Sequence, residues 1–303
     1  MAPFDHALSQ DFLEALRKEV ARGGWWRDVL ADPTLVIATR GRSLNVYWKG
    51  QSLFRASLVH GAIRVTTHEK FLLNPALEGQ VPLNADGLFD IAALTQKGFL
   101  DRYEDKETLK KLKAAAGRFA DAEKSGCHEI AVRNAGVIDV EIAFPGKYVI
   151  EETETTAPRV DLAAVESDGS DARLVFWEAK TYDNGDLRTL TEEKPATVCG
   201  QVGLYRSILA QHREAVEASY ARVAANLVAF RDMGWTRPLS PAIEAVGRNT
   251  ATLRLHDEPA VGLIVFGFDK GQRDEARWVG HRSKLQQNIA RVKLIGDPKQ
   301  IRI

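Results

Sequence analysis

Three residues capable of acid–base chemistry lie close together in the middle of the chain, on two apolar segments separated by a turn. Asp161 interrupts the apolar segment 160–166, and Glu178 and Lys180 end the apolar segment 173–180. Charged side chains at the end of an apolar strand are costly unless they bind something. Carboxylates that crowd each other raise their own pKa values or recruit a cation. Oxygen ligands of this kind suit Mg²⁺ or Mn²⁺, so we predict a divalent metal site.

The turn between the two segments should bring these side chains together. It reads SDGSD, and its Asp168-Gly169 pair is typical of a two-residue β-hairpin. Side chains alternate faces along a strand, so Glu178 and Lys180 share one face. The second segment is apolar on both faces, which indicates a central strand that is covered on both sides. A tight hairpin then places Asp161 beside Glu178.

The order of these residues resembles a known nuclease motif. Asp161, followed after a gap by Glu178-Ala179-Lys180, resembles the PD-(D/E)XK motif, written here as PRVD and EAK. Two residues separate the proline from the aspartate, where the name of the motif has them adjacent. The resemblance covers roughly residues 105–269.

A second motif follows on a predicted helix that begins near Pro195. Gln201 and Tyr205 in QVGLY resemble the Q-x-x-x-Y helix of RecB-like members of that superfamily. The two residues are four apart and therefore stack on one side of the helix. A glutamine on the buried side needs hydrogen-bond partners. The metal site or a phosphate would supply them, and a backbone carbonyl is the alternative.

The resemblance implies an α/β fold with a restriction-endonuclease-like αβββαβ core around a mixed sheet. It also implies a metal-dependent phosphodiesterase in which Asp161 and Glu178 hold one or two Mg²⁺ ions, with the carbonyl oxygen of Ala179 as a further ligand. Lys180 would position or deprotonate the attacking water, with a pKa lowered by the nearby cation. Gln201 would orient the lysine, the water or the phosphate, and the tyrosine of the second motif would support it.

Segment 104–124 predicts one long amphipathic helix, in the position of the first core helix of the superfamily. Such helices often supply another acid to the metal. The candidates are Glu104, Glu107 and Glu123, although the pattern favours a solvated helix charge for each of them.

The elements before this helix predict a small antiparallel domain. A helix at 12–20 precedes Trp25 and Trp26, which we expect in the core. Strands at 35–39, 43–49, 52–59 and 62–67, joined by short glycine-containing turns, predict a β-meander. We expect one face of the meander to be exposed to solvent. On that face, Tyr47, Lys49 and Arg55 either contact nucleic acid or are ordinary surface residues.

The proline- and glycine-rich stretch 74–87 predicts the boundary between two domains. The first, 1–87, holds the N-terminal helix and the meander, and the second, 88–303, holds the nuclease-like core. Within the second, the sequence predicts a short helix at 88–99, strands at 128–133, 137–144 and 147–151, a loop at 181–193 bordering the site, an irregular stretch at 234–258 and a last core strand at 261–268.

The charge of the chain is balanced overall but uneven along its length. The formal net charge is zero, yet from residue 270 onward there are nine basic residues against three acidic ones. A local basic patch can hold phosphates on a neutral protein. The candidates for backbone contacts are Arg273, Arg277, Arg282 and Lys284, with a solvated C-terminal helix as the alternative.

Other features narrow the class of protein that we expect. The sequence has no long apolar run and no signal-peptide pattern at its N-terminus, so we expect no membrane association. The two cysteines, Cys127 and Cys199, form no CxxC pair, which favours a reducing cytoplasm and disfavours zinc or an iron–sulfur cluster.

These observations predict a Mg²⁺-dependent nuclease, with DNA favoured over RNA as substrate. The resemblance implies a role in repair, restriction or phage defence without selecting among them. The alternative is a nucleic-acid-binding or protein-docking subunit with a silent nuclease core. Strand preference, endonuclease or exonuclease action, and assembly into a homo-oligomer or with a partner protein stay open at this point.

Overall fold

A computed structural model of the chain describes residues 4–73, 88, 98, 100–144, 147–150, 153–156, 158–189, 194–255 and 260–303. The helices are α1 (Gln10–Arg22), α2 (Trp25–Ala31), α3 (Lys106–Gly117), α4 (Ala122–Arg133), α5 (Thr197–Gln211), α6 (Arg213–Asp232), α7 (Pro241–Gly247), α8 (Lys270–Asp274) and α9 (Ala276–Asn288). The strands are β1 (Val36–Thr39), β2 (Ser43–Trp48), β3 (Gln51–Val59), β4 (Ala62–Thr66), β5 (Val137–Ala143), β6 (Lys147–Ile150), β7 (Thr153–Thr156), β8 (Arg159–Asp168), β9 (Asp171–Thr181), β10 (Leu253–Leu255), β11 (Val261–Phe266) and β12 (Val292–Leu294).

The strands within the described ranges form three sheets. β1 to β4 make an antiparallel meander in chain order, and β6 and β7 make a separate hairpin. The third sheet has the order β12-β11-β9-β8-β5, with β10 also beside β9. β5, β8 and β9 run antiparallel, whereas β10 and β11 run parallel to β9 and β12 runs parallel to β11. The predicted α/β class with a mixed sheet and a preceding antiparallel meander is confirmed.

β9 is the central strand of the mixed sheet and is covered on both faces. Leu174 and Phe176 belong to the larger core cluster, where the Phe176 ring meets the edge of Tyr220 on α6 at 5.8 Å. Trp177 belongs to a second cluster on the opposite face, together with Ile130 from α4. We predicted that this strand is central in its sheet and that both of its faces are covered, and both predictions are confirmed.

The predicted hairpin between β8 and β9 forms, with its two-residue loop one position after the predicted Asp168-Gly169 pair. Asp168 pairs with Asp171, which leaves Gly169 and Ser170 as a two-residue loop. Gly169 has φ 63°, a left-handed conformation that glycine adopts without steric cost. Arg173 closes the turn with an ion pair to Asp168 at 3.0 Å. The loop length fixes the register of the whole β8–β9 ribbon, and hence the residues that lie opposite each other at its far end.

The N-terminal meander packs against the C-terminal part of the chain. Trp26 is fully buried and meets Phe230 edge-on at 5.6 Å, as expected for a core tryptophan. The backbone N–H of Leu8 donates to Asn226 Oδ1 at 2.7 Å. Tyr47 is also buried, in the cluster shared with α4, so the expectation of an open face is wrong at this residue. The predicted boundary at 74–87 and most of the predicted helix at 88–99 lie outside the described residues, and the division into two domains stays a prediction.

The predicted helix 104–124 is in fact two helices, and the predicted strand 128–133 is the end of the second. Asp121 caps α4 by accepting a hydrogen bond from the Lys124 N–H at 2.7 Å, which starts a new helix there. Ile130 and Ala131 lie adjacent and both face the sheet, which a strand would not allow. Asn134 ends the helix by donating to the Ile130 carbonyl oxygen at 2.8 Å.

Two further regions are more regular than predicted. The stretch 234–258 holds α7, whose N-cap Ser240 accepts from the Ile243 N–H at 3.3 Å, and strand β10. β12 adds a strand beyond the predicted last core strand, which itself forms as β11. Short elements of this kind owe their formation to tertiary packing more than to local propensity, so sequence patterns indicate them poorly.

A buried ion-pair network ties the meander to the mixed sheet. Asp139 on β5 is almost completely buried and accepts from Arg40 Nη1 at 2.7 Å and from the Tyr220 hydroxyl at 3.0 Å. His6 Nδ1 lies 3.3 Å from the same carboxylate. Burial opposes ionisation of Asp139, but the charge of Arg40 and these hydrogen bonds outweigh it and lower its pKa. The ionised pair therefore joins segments about 100 residues apart in sequence.

Replacing Asp139 with asparagine should lower the free energy of unfolding by about 3–5 kcal/mol at pH 7, because Arg40 then stays buried without a counter-charge. The pKa of Asp139 is lowered by folding. Its contribution is therefore present above its ordinary pKa and lost as the pH falls through its folded value, so the difference should shrink in acid. Denaturant titrations of both proteins measure this.

The matched control is Asp5→Asn, which removes an exposed acid 2.9 Å from Arg222. It should cost less than about 1 kcal/mol. Equal losses for the two variants, or a difference that does not change with pH, would contradict the assignment.

Candidate active site

The predicted acids meet where the β8–β9 ribbon opens. The last pair of the ladder at this end is Leu162 with Trp177, and one further step along the same register places Asp161 opposite Glu178. Here a side chain replaces the backbone ladder, because the N–H of Ala179 donates to Asp161 Oδ2 at 2.8 Å. The carboxylate of Asp161 thus lies against the Glu178-Ala179 backbone, as the hairpin prediction required.

Glu178 and Lys180 form a buried ion pair on one face of β9. Lys180 Nζ lies 2.8 Å from Glu178 Oε1, and both residues are more than nine-tenths buried. The second oxygen of the carboxylate, Glu178 Oε2, is buried and has no hydrogen-bond partner among the described residues. A buried acceptor without a partner is rare in folded proteins and is typical of a site that binds a ligand or an ion.

Burial of the acids and repulsion between them raise their pKa values. Burial raises the pKa of Asp161 well above its usual range, and repulsion from Glu178 raises it further. Burial likewise raises the pKa of Glu178 to about 7, although Lys180 opposes this, and Glu123 adds repulsion. Burial would lower the pKa of Lys180, but the surrounding acids reverse this and raise it. Lys180 is therefore an ammonium in this arrangement, and the lowered pKa expected beside a cation stays a prediction.

The structure distinguishes the three helix acids that the sequence left open. Glu123, in the first turn of α4, accepts from the Thr181 N–H at 3.3 Å and from Asn184 Nδ2 at 3.0 Å, directly after Lys180. Glu107 lies on the exposed side of α3 and pairs with Lys110 at 2.6 Å. Glu104 precedes α3, where its N–H donates to the hydroxyl of Thr108. Of the three, Glu123 is therefore the one that contacts the site.

Two further acids border the site, and the sequence interpretation did not include them. Glu141 on β5 faces Asp161 across the β5–β8 register and pairs with Arg159 at 3.1 Å. Asp186 Oδ2 lies 4.0 Å from Lys180 Nζ, in a short 3₁₀ turn of the loop after β9. That loop was expected to border the site, and its described part does. Glu141 breaks the apolar run of its strand in VIDVEIAF, which was the available signal.

The two residues of the Q-x-x-x-Y motif lie one turn apart on α5. The Tyr205 hydroxyl donates to the Arg159 carbonyl oxygen at 2.8 Å, at the start of β8. Burial, together with the charges of Glu178 and Asp161, raises the pKa of Tyr205. Gln201 Oε1 is buried and has no hydrogen-bond partner among the described residues. The alternative of a backbone partner is therefore not observed for this oxygen.

The C-terminal helices pack beside the same loop. The Tyr182 hydroxyl, two residues after Lys180, donates to Glu275 Oε2 at 3.1 Å, and its ring packs against Trp278 with the centroids 4.9 Å apart. The Thr189 N–H reaches Nδ1 of His281 on α9 at 3.4 Å. The basic tail therefore flanks the loop that borders the site.

The four basic residues predicted to contact nucleic acid differ in their surroundings. Arg273 is exposed and already paired with Asp274 at 3.0 Å. Arg277 is exposed, and Arg282 and Lys284 are half-buried on α9. All four lie on the two helices next to the loop, and their contact with nucleic acid stays a prediction.

The oxygen atoms of the site are chemically suited to a divalent cation. No group of three or more histidine, cysteine, aspartate or glutamate side chains in a metal-binding arrangement occurs within the described part of the chain. The atoms that lack partners, Glu178 Oε2 and Gln201 Oε1, are both oxygen acceptors. Hard oxygen donors with raised carboxylate pKa values suit Mg²⁺ or Mn²⁺, which usually keep several water ligands.

Comparison with models of known protein families, with curated proteins and with solved structures finds no match to this chain. In the described ranges, no helix combines the length and the apolar character needed to cross a bilayer.

The raised pKa of Glu178 predicts that stability depends on pH. Its pKa rises from 4.5 to about 7 on folding, so the folded chain holds more protons in this range. With chelator present, the free energy of unfolding should therefore fall as the pH rises from about 4.5 to about 7. Glu178→Gln should remove roughly 3 kcal/mol of that fall, measured by denaturant titration at several pH values.

Glu129→Gln on α4 is the control, since Glu129 makes only a partly exposed pair with Arg133. It should leave the pH profile unchanged. A Glu178→Gln protein with the same slope as the wild type would show that Glu178 does not carry the proton.

Proposed function

We propose that this chain is a metal-dependent nuclease that hydrolyses phosphodiester bonds, with DNA favoured over RNA. The observation that carries the proposal is the buried cluster of Asp161, Glu178 and Lys180 at the open end of one β-ribbon, with an acceptor oxygen of Glu178 left without a partner. A buried cluster of two acids and an amine is weak evidence for a role in stability, because the cost of desolvating such groups can exceed the attraction between them.

The order of the elements supports the restriction-endonuclease-like core implied by the motif. α4 precedes the antiparallel strands β5, β8 and β9, then α5 follows, and β11 returns parallel to β9. This is the αβββαβ order, with the β6–β7 hairpin inserted between β5 and β8 and with α6, α7 and β10 inserted before β11. In this core the acids lie on β8 and β9, and the glutamine lies on α5.

Asp161 and Glu178 would hold the ion, with the carbonyl oxygen of Ala179 as the further ligand and Glu123 close by. When bound, Mg²⁺ supplies positive charge to the phosphoryl oxygens and lowers the pKa of water. The ion would also relieve the repulsion that now raises the pKa of both acids. The residues of the site would thus bind the ion and hold the reacting groups.

Lys180 would orient the attacking water and offset negative charge on the phosphate. Its ammonium is held in place by Glu178 at 2.8 Å and faces Asp186 at 4.0 Å. Gln201 would donate to or accept from the water or a phosphate oxygen. Tyr205 is a positioning residue, since its hydroxyl fixes the backbone of β8 two residues before Asp161.

Replacing Asp161 with asparagine should abolish cleavage, and Lys180→Gln should reduce it by at least about 100-fold. Purified protein is incubated with end-labelled single-stranded and duplex DNA and RNA, with Mg²⁺ or Mn²⁺, and with or without chelator. The control Asp168→Asn makes the same change at the opposite end of the same ribbon, where the aspartate is exposed, and should cleave normally.

Cleavage that survives in both single variants would remove Asp161 and Lys180 from the mechanism. No cleavage by the wild type under any condition, together with retained binding, would favour the alternative of a binding or docking subunit with a silent core.

Glu123→Gln should weaken Mg²⁺ binding by roughly tenfold, because this residue positions the backbone that follows Lys180. Isothermal calorimetry with the full chain measures the affinity without reference to activity. Glu129→Gln, on the same helix and away from the site, should bind Mg²⁺ as the wild type does. Equal affinities for all three proteins would exclude Glu123 from the cation site.

A further inference from the structure

An exposed aromatic residue lies beside the candidate site, in the turn between α3 and α4. Phe119 has 47% of its surface exposed. Its ring meets the edge of Phe71 at 6.2 Å, and Lys70 Nζ lies over it at 4.8 Å from the centroid. An exposed ring held between two neighbours is fixed in place before any partner binds.

Lysines accompany this ring on the edge of the N-terminal meander. Lys70 Nζ also bonds to Gln51 Oε1 at 3.1 Å, and Lys49 Nζ lies 5.6 Å from the ring centre of Trp48. Neither lysine pairs with a carboxylate within the part of the chain that the structure describes. Positive charge interleaved with aromatic rings is the composition of surfaces that bind single-stranded nucleic acid.

The meander and the α3–α4 turn are packed together next to Glu123. Gln51 Nε2 donates to the Phe119 carbonyl oxygen at 3.0 Å, which joins the meander to the α3–α4 turn. Gly50 packs closely against Lys124, because a Cβ atom added to this glycine would lie only 2.7 Å from the lysine Cβ. Lys124 follows Glu123, and with Gly50 and Asp161 it lines one small void. Phe119 and Lys124 thus lie on either side of Glu123 in the sequence, and Glu123 is the helix acid that contacts the site.

We propose that Lys49, Lys70, Phe119 and Lys124, the basic–aromatic surface, bind single-stranded nucleic acid and guide it to the site. The lysines contact phosphates, and one base stacks on Phe119. A duplex cannot use this ring, because its bases are already stacked inside the helix. The inference rests on the proposed function and adds the strand preference to it.

The test measures binding rather than cleavage. Fluorescence anisotropy is recorded with labelled single-stranded oligonucleotides, as DNA and as RNA, and with a duplex of the same length, all with chelator present. Phe119→Ala should weaken single-strand binding roughly fivefold or more and leave duplex binding unchanged. Phe119→Tyr keeps a ring and should bind as the wild type does.

Val59→Ala is the matched control, since Val59 is another exposed apolar residue, at the far end of β3, with 37% of its surface exposed. It should change neither affinity. Melting temperatures of all variants check the fold, which a half-exposed ring should affect little.

Lys70→Gln tests the phosphate contact separately. It should reduce the dependence of log affinity on log salt by about 0.7 for a single strand. A salt slope equal to that of the wild type would remove Lys70 from the surface.

Wild-type affinity in Phe119→Ala, or an equal loss for single strands and duplex, would overturn the inference. If the wild type cleaves and Phe119→Ala binds normally, the proposed nuclease activity is supported and the basic–aromatic surface is excluded as a binding site. If single strands bind through Phe119 and no cleavage occurs with Mg²⁺, the basic–aromatic surface is supported as a binding site and the proposed nuclease activity is excluded.

Discussion

The structure depends on one unfavourable arrangement, the burial of charged groups at the end of its central strand. β9 is covered on both faces along its apolar length, so Glu178 and Lys180 are more than nine-tenths buried where they emerge from the core. The pair bonds internally at 2.8 Å, yet one carboxylate oxygen stays unsatisfied and a second acid, Asp161, lies alongside. The scaffold holds these groups together against their repulsion. A bound cation and phosphate would compensate the charges and the unsatisfied carboxylate oxygen that the protein alone leaves uncompensated.

The scaffold that holds them reaches far along the chain. The hairpin at Gly169 sets the register that places Asp161 opposite Glu178 at the other end of the ribbon. The N-terminal meander contributes Arg40, whose guanidinium bonds Asp139 and also the backbone oxygens of Val140 and Glu141. β5 is therefore held from the meander side at the residues that face Asp161. The first residues of the chain pack on α6, where the His6 N–H donates to Ser219 Oγ and the Leu8 N–H donates to Asn226 Oδ1.

Local patterns predicted the parts of the site that depend on local geometry. Strand alternation and the expectation of a tight turn around Gly169 were enough to bring Asp161 beside Glu178 and to place Lys180 on the same face as Glu178, although the loop lies one residue later than predicted. Patterns failed where a contact between distant segments decides the outcome. The segment at 128–133 has a short run of apolar residues that suggested a strand, but it is the last part of α4, which begins after its cap at Asp121. Nothing local distinguishes Glu123 from other helix acids, since its partners lie about 60 residues away. The position of Glu141 follows from the β5–β8 register, which no single segment encodes.

Glu141 has a backbone conformation that residues other than glycine rarely adopt. Its φ is 54°, in the left-handed region, at the point where β5 faces Asp161. A residue other than glycine in such a conformation costs about 1–3 kcal/mol. Glycine would relax the backbone, and the chain instead keeps a carboxylate there. At this single position, a change that lowers backbone strain would also remove one negative charge from the group of acids.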